Sequence, residues 1–260
     1  MGTVLTFTDS FVARTEPGLC QVYMNTMELP IIFEDNHLLA VYKPAGILSQ
    51  GDATGDENVV TWAENYLRKR YQKAGNVYVG LLHRLDRPTS GILLLAKTSK
   101  EAARMSEQFR QGTVSKHYFA ITTRVPKPES QELCHHLKKI PGKNIIIAYN
   151  HAQRDTQEAR LSYQVIHVLD GMALLAVEIF TGRQHQIRVQ LARIACPILG
   201  DAKYGKIIPF LPDLSIALTA YRLDFLHPIQ KNRIQLTFLP QSINFQPFKD
   251  KMQAFLENSN

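Results

Sequence analysis

The polar run formed by residues 83–91 carries the side chains that are best placed to do chemistry in this chain. Asp86 lies in this run between two arginines, Arg84 and Arg87, and an apolar stretch follows. A nearby guanidinium favours the ionised form of a carboxylate, so Asp86 is a candidate catalytic group. The alternative is a turn in which Asp86 caps backbone amides and both arginines are solvated. Spacing alone favours the turn.

A predicted strand at residues 116–122 adds a second pair of candidates. Lys116 and Tyr118 are two residues apart in it, so their side chains project from the same face. The Tyr118 ring suits ordinary core packing, but a ring is also the platform that an unstacked base needs.

Residues 182–188 supply several hydrogen-bond donors where a helix is predicted to begin. The donors are Arg183, His185 and Gln186. Helix N-termini attract phosphates, while the alternative is a turn followed by an amphipathic helix. Arg188 follows Ile187, which is expected to face the core, so Arg188 is expected at the core boundary. A charge there needs a partner, for which Asp86 is a candidate.

The elements that must position these residues are predicted from apolar runs and helical spacing. Strands are predicted at residues 31–33, 38–41, 92–96, 116–122, 161–168, 172–180, 216–225 and 234–238. Helices are predicted around residues 60–71, from a cap at Ser99 to Gly112, and after Gly182. This order indicates one α+β domain with a mostly antiparallel mixed sheet flanked by helices.

Domain boundaries follow changes in the same pattern. Residues 1–28 show weak periodicity and are predicted to be an N-terminal extension, residues 29–245 one folded domain, and residues 246–260 a C-terminal helix or tail. Residues 126–157 are predicted to be a polar loop stretch around a short apolar run. The lysines of that stretch are interpreted as loop charges: Lys138, Lys139 and Lys143.

Composition narrows the class of partner and the compartment. The 260 residues carry a net charge of +7, which favours a polyanionic partner such as nucleic acid. Three scattered cysteines argue against a disulfide framework and fit a reducing compartment. The sequence shows neither a membrane-spanning run nor a secretory signal. We therefore expect a cytoplasmic protein with no membrane partner.

Absent motifs narrow the chemistry. The sequence has no phosphate-binding loop, no nucleophile elbow, no His-Glu-x-x-His and no zinc deaminase signature. Cys134, His135 and His136 are adjacent, and neighbouring side chains on a strand point to opposite faces, so a shared ion is not expected. No metal site and no cofactor are predicted.

Five segments, taken in order, resemble the RluA-type family of RNA pseudouridine synthases over nearly all of residues 31–240. They are residues 31–46, 83–95, 116–118, 181–189 and 200–205. The run His-Arg-Leu-Asp-Arg-Pro-Thr-Ser-Gly at residues 83–91 is the most specific of them. The resemblance implies that the folded domain is a pseudouridine synthase catalytic domain. Because only 30 residues precede the first motif, it also implies a compact form without an S4 RNA-binding domain.

The resemblance implies a role for each matching residue. Asp86 is similar to the catalytic aspartate, Tyr118 to the ring that packs on the target base, and Arg188 to the arginine that pairs with the aspartate. Arg84 is similar to the arginine that opens the RNA at the target. Lys43 matches the first motif and is expected to support the architecture of the site. We group the further residues of these motifs as RNA contacts, together with Arg84 and Lys43: Arg87, Lys116, Arg183, His185 and Gln186. Three positions depart from the family pattern: Gln184, Gln190 and Thr219.

The implied reaction isomerises specific uridines in tRNA or rRNA to pseudouridine. It breaks the N1–C1′ bond, rotates the uracil inside a closed site and rejoins it through C5. The aspartate acts either as a nucleophile at C1′ or as a base at C2′, and the sequence leaves both routes open.

Two alternatives use the same residues differently. One is a non-catalytic RNA-binding or chaperone protein on the same fold, against which the joint presence of Asp86, Tyr118 and Arg188 argues. The other is a glycosylase that releases the free base. We expect a monomer whose partner is RNA.

Overall fold

The computed structural model describes residues 28–53, 55–205 and 215–258, so nearly all of the predicted N-terminal extension lies outside the described residues. The described chain forms eleven strands and four α-helices. The strands are β1 Ile31–Glu34, β2 Leu38–Lys43, β3 Gly80–Leu81, β4 Ser90–Ala96, β5 Ser115–Thr122, β6 Ser130–Lys139, β7 Ile146–Tyr149, β8 Gln157–Leu169, β9 Met172–Ile179, β10 Leu218–Leu226 and β11 Arg233–Thr237. The helices are α1 Val59–Arg70, α2 Ser99–Gln111, α3 Gln186–Arg193 and α4 Lys249–Asn258, the last preceded by a 3₁₀ helix, Ile243–Phe248.

All of these strands join one sheet. Its order is β1-β2-β4-β10-β5-β9-β8-β6-β7, with β3 added to β4 and β11 added to β10. Among the pairings of the described strands, β4 with β10 is parallel and the others are antiparallel. The structure confirms the α+β class with a mostly antiparallel mixed sheet.

The centre of the sheet is covered on both faces. Strands β2 and β4 are buried at every position, so their apolar residues read as continuous runs and not as alternating ones. Leu93 and Leu95 of β4 join the core on one face, where α1, α3 and α4 pack, while Ile92 and Leu94 join the core on the other, with Met105 of α2. Within the described residues no helix is long and apolar enough to cross a membrane.

Gly91 permits the close contact between β4 and β10. Its φ is +127°, and a Cβ there would lie 2.4 Å from the backbone nitrogen of Ala220. Any larger residue would push β10 away from the strand that follows the Asp86 turn. The glycine therefore fixes the position of that turn relative to the second half of the sheet.

The helix ends follow local chemistry. The N-cap of helix α2 lies one residue before the predicted cap, at Thr98, which has the extended backbone of an N-cap and whose hydroxyl accepts from the Glu101 amide. It ends at Gly112, as predicted, with a left-handed φ of 70°.

The prediction of a loop stretch at residues 126–157 is wrong. This stretch contains β6 and β7, which form an antiparallel arm packed on α3. Leu133, His135 and Leu137 lie on the buried face of β6, but His135 is polar and the alternate residues are solvated, and this masks the strand pattern. Lys138 and Lys139 therefore lie on a strand, and Lys143 lies in the turn between the strands.

Candidate active site

An open cleft of about 1190 Å³ runs across one face of the sheet. Ordinary small-molecule pockets are roughly 300–1,000 Å³, so the cleft suits a segment of a larger molecule. It is bounded by the loop at residues 48–52, the turn at residues 83–89, the start of β5, the turn before α3, and Lys203.

The turn that carries Asp86 is held in place from both sides. The hydroxyl of Ser49 donates to the carbonyl of Leu85 at 2.9 Å and accepts from the Leu85 amide at 3.1 Å. His83 accepts from the Leu94 amide at 3.1 Å through Nε2. Burial, with a smaller effect of the Lys116 charge, lowers the pKa of His83 to about 3, so this ring is a neutral acceptor at physiological pH. The turn is therefore rigid where the carboxylate projects.

Asp86 contacts Arg188 and neither of its arginine neighbours. Arg188 Nη1 donates to Asp86 Oδ2 at 2.9 Å, as expected for a charge at the core boundary. The Asp86 side chain is 25% exposed, and within the described residues its Oδ1 accepts no hydrogen bond. The Asp86 side chain therefore caps no backbone amide of the described chain, contrary to the alternative of a simple turn. One oxygen is anchored and the other carries no hydrogen bond in the described part of the chain, and Asp86 lines the cleft.

Arg188 is fixed by a second carboxylate, Asp201. Its Nε donates to Asp201 Oδ2 at 2.7 Å and its Nη2 to Oδ1 at 2.9 Å, which is a bidentate pair. Burial alone would lower the pKa of Arg188, but the hydrogen bonds and charges of Asp201 and Asp86 outweigh it and raise that pKa. Arg188 therefore stays charged in its buried position.

Asp201 is a site residue that the sequence reading did not single out. Its side chain is fully buried, and it also accepts from the backbone amides of Lys203 and Tyr204. The available signal was its place in the motif at residues 200–205. A buried carboxylate needs a partner of opposite charge, but the sequence does not show which arginine supplies it.

His185 and Tyr204 lie next to the pair formed by Asp86 and Arg188. His185 Nδ1 is 2.6 Å from the Tyr204 hydroxyl, and its Nε2 is 3.9 Å from Asp86 Oδ2. Burial, partly offset by Asp86, lowers the pKa of His185 to about 4. The ring is therefore neutral at physiological pH, although its neighbour is an anion.

Lys116 and Tyr118 project into the cleft from the same face of β5, as predicted. Burial and then the Asp86 charge raise the pKa of Tyr118, so its hydroxyl is protonated. Burial lowers the pKa of Lys116. His117, between them, points to the opposite face and lies 3.5 Å from Asp224.

Lys43 does not line the cleft, and its grouping with the RNA contacts stays a prediction. The side chain is fully buried, and its ammonium donates to the carbonyls of Pro44 at 2.9 Å, Ile47 at 2.8 Å and Arg87 at 3.3 Å. Burial, partly offset by Asp86, lowers the pKa of Lys43 to about 7. Lys43 instead ties the loop after β2 to the Asp86 turn.

Gln186 lines the cleft, where its side-chain amide is bound by the protein, and its grouping with the RNA contacts stays a prediction. Its Oε1 accepts from the Thr181 hydroxyl and the Arg183 amide, and its Nε2 donates to the carbonyl of Arg160. The side chain is buried and its amide is satisfied by the protein. It shapes the turn before α3.

Three arginines lie at the rim of the cleft. Arg84 is exposed, and within the described residues it forms no hydrogen bond or ion pair. Arg87 donates to the carbonyl of Gly46 and pairs with Asp56 at 2.9 Å. Arg183 donates to the carbonyl of Glu158. Of the three arginines, Arg84 thus has the fewest contacts with the rest of the described protein.

Two of the departures from the family pattern connect the cleft to the arm. Gln190 is fully buried and donates to the carbonyl of Ala159 at 3.1 Å, which joins α3 to β8. Gln184 donates to Asn144 at 2.9 Å, beside the turn of the arm. Thr219, the third, is buried on β10.

The geometry defines an enzyme site for a polyanionic substrate. It combines an aspartate with one free oxygen, a buried arginine behind it, a tyrosine ring beside it and cationic side chains at the rim. Within the described residues no cluster of three or more histidine, cysteine, aspartate or glutamate side chains could hold a metal ion.

Comparisons with known proteins identify the class. A family model described as RNA pseudouridylate synthase matches residues 37–193, more than half of the chain. A tRNA pseudouridine synthase C from Haemophilus ducreyi is 37% identical over 193 residues, which cover 70% of this chain and 76% of that protein. A ribosomal large subunit pseudouridine synthase C from Rickettsia conorii is 34% identical over 186 residues, covering 69% of this chain and 58% of that protein.

A solved structure agrees with the sequence matches. Human RNA pseudouridylate synthase domain containing 4 superposes with a TM-score of 0.67 at 26% identity, covering 82% of this chain and 89% of that one. The chain belongs to the RNA pseudouridylate synthase family, and its reaction is the isomerisation of uridine in RNA.

Proposed function

We propose that Asp86 is the catalytic carboxylate of this pseudouridine synthase and that its substrates are uridines in tRNA or rRNA. The observation that supports this most directly is the single anchored oxygen of Asp86. Arg188 holds Oδ2, while Oδ1 carries no hydrogen bond within the described residues, and Asp86 lines the cleft. A carboxylate held in this way is oriented and accessible to a nucleotide.

The proposed chemistry follows from what isomerisation requires. The N1–C1′ bond breaks, the uracil turns, and C5 bonds to C1′; N1 then carries a proton and C5 has lost one. Asp86 supports the first step either as a nucleophile at C1′ or by removing a proton at C2′. Arg188 keeps the carboxylate oriented throughout, since Asp201 holds it independently.

The target uridine must leave its stack to enter this cleft, which costs a few kcal/mol. Tyr118 offers the base a ring beside Asp86. Arg84 is exposed at the rim and contacts the RNA backbone next to the extruded uridine. Lys116, Arg87, Arg183 and His185 complete the proposed RNA surface. Base stacking on an aromatic ring offsets part of the cost of extrusion.

The substrate class rests on the named relatives, which are a tRNA and a ribosomal large subunit pseudouridine synthase. We propose that residues 29–245 form the catalytic domain, that the protein acts as a monomer and that it works in the cytoplasm. Mapping pseudouridines in total RNA from cells with and without the protein would identify the RNA and the uridine that it modifies.

The test of Asp86 uses RNA carrying 5-tritiated uridine, because loss of the C5 hydrogen releases tritium to water. Asp86→Asn is expected to abolish release while RNA affinity changes little. Arg188 keeps its bidentate partner in this variant, so the fold should survive. Full activity of the variant would refute the assignment, and an inactive wild type on every tRNA and rRNA would favour a non-catalytic RNA-binding protein.

A further inference from the structure

A series of contacts leads through Tyr204 and His185 to Asp86; the first two are hydrogen bonds, and the last is a contact at 3.9 Å. The backbone amide of Ile146 donates to the Tyr204 hydroxyl oxygen at 3.0 Å. That hydroxyl lies 2.6 Å from His185 Nδ1, and His185 Nε2 lies 3.9 Å from Asp86 Oδ2. These contacts run from the arm, through the side chains of Tyr204 and His185, to the proposed catalytic carboxylate.

The hydrogen bond from Ile146 to the Tyr204 hydroxyl favours one tautomer of His185. Tyr204 oxygen already accepts from Ile146, so its own hydrogen is available to donate, and a separation of 2.6 Å fits O–H donation to a ring nitrogen. Nδ1 is then the acceptor, and the proton of the neutral ring is on Nε2. The opposite tautomer would aim the Nε2 lone pair at an anionic oxygen, which is repulsive.

We propose that Tyr204 is a positioning residue: it holds His185 as the neutral Nε2–H tautomer and so presents an uncharged donor to Asp86. This inference rests on the proposed role of Asp86. The donor faces Oδ2, the oxygen that Arg188 also holds, and leaves Oδ1 for the substrate.

An uncharged donor differs from a second cation in its effect on the carboxylate. A protonated imidazole would pair with Asp86 and compete with its reaction, whereas a neutral N–H orients Oδ2 without adding positive charge. Burial of His185 supports the neutral form. The left-handed backbone of His185, with φ 54°, is a conformation that non-glycine residues rarely adopt outside constrained sites.

The tautomer can be measured directly by long-range ¹H–¹⁵N correlation NMR on protein labelled at histidine, with His185 assigned by its loss in His185→Gln. The expected result is Nε2–H for His185 in the wild type and loss of that preference in Tyr204→Phe. An Nδ1–H form in the wild type would overturn the proposal.

Kinetics test whether the donor matters. Tyr204→Phe is expected to lower kcat about tenfold, comparable to the loss of one hydrogen bond to a charged group, with the KM for RNA nearly unchanged. Tyr163→Phe is the matched control, since it deletes a buried hydroxyl that donates to the carbonyl of Pro128, away from the cleft. A rise in KM with kcat unchanged would count against the positioning role. An equal loss of kcat in Tyr204→Phe and Tyr163→Phe would also count against it.

Two replacements of His185 separate the donor from the backbone. Glutamine can place an N–H near the position of Nε2, while asparagine reaches only the position of Nδ1. Asparagine tolerates the left-handed backbone better than glutamine does. A merely structural role therefore predicts that His185→Asn is the more active variant, and our proposal predicts His185→Gln.

The two proposals can fail separately. If Asp86→Asn remains active, the role of Asp86 is wrong whatever the tautomer of His185. If Asp86→Asn is inactive and His185 carries its proton on Nδ1, the role of Tyr204 alone is wrong.

Discussion

Asp201 holds Arg188 with both of its carboxylate oxygens, at 2.7 and 2.9 Å, whereas Asp86 holds it with one. The orientation of the arginine is therefore set by a residue that does not reach the reacting atoms. In the proposed mechanism, the second oxygen of Asp86 contacts the substrate while the first remains bound to Arg188.

Asp201→Asn should remove this support. A buried arginine that loses its charged partner destabilises the fold by about 3 kcal/mol, and we expect activity per folded molecule to fall at least about tenfold. Chemical denaturation and tritium release measure the two effects.

Asp224→Asn is the matched control for this change. Asp224 is also buried and also binds an arginine through both oxygens, in this case Arg222. The control should lose stability but keep its activity per folded molecule. Equal activity of the two variants would show that Asp201 has no specific link to the site.

Tyr118 should act through its ring more than through its hydroxyl. Tyr118→Phe is expected to keep RNA affinity within about threefold, and Tyr118→Ala to weaken it by about 1–3 kcal/mol, the value of one stacked base. Binding assays with an abasic target provide the control, since the penalty of the alanine variant should vanish there. Complete loss of binding in Tyr118→Phe would contradict a stacking role.

Arg84 should contribute to RNA affinity through charge. Phosphate contacts release counterions, so RNA affinity should fall steeply with salt, and Arg84→Gln should reduce the slope by about one. Arg233→Gln is the control because Arg233 is exposed on β11, beside the end of β10 opposite the cleft. The same change of slope in both variants would indicate a general effect of net charge.

Lys43 should make stability depend on pH. Its folded pKa of about 7 lies below the ordinary value of 10.5, so the unfolded chain binds more protons between these values. The free energy of unfolding of the wild type should therefore rise with pH from about 7 to 10, relative to Lys43→Met, by at most about 1.4 kcal/mol per unit. Lys69→Met, on the exposed face of α1, should leave the pH dependence unchanged, and a flat difference for Lys43→Met would refute the low pKa.

The fold was predictable where burial leaves a clear pattern. The strands β2 and β4 are apolar runs because both faces of the sheet are covered. The arm at residues 130–149 was not predictable, since only one face packs and its partner, α3, follows much later in the chain.

The site was predictable to a similar degree. The pairing of Arg188 with Asp86 followed from a charge at the core boundary and from the resemblance. The burial of Lys43 and Gln186 could not be predicted, because polar residues lie at the surface more often than in the core. Their partners are mostly backbone carbonyls and amides, which carry no sequence signal.

The position of β10 has a consequence for the synthesis of the protein. This strand lies between β4 and β5 in the sheet, yet it begins at residue 218 of 260. Asp86 and Arg188 are also 102 residues apart in the chain. A nascent chain that has not yet reached residue 226 thus cannot close the sheet behind the Asp86 turn, so the capacity to modify RNA arises only after β10 has been synthesised.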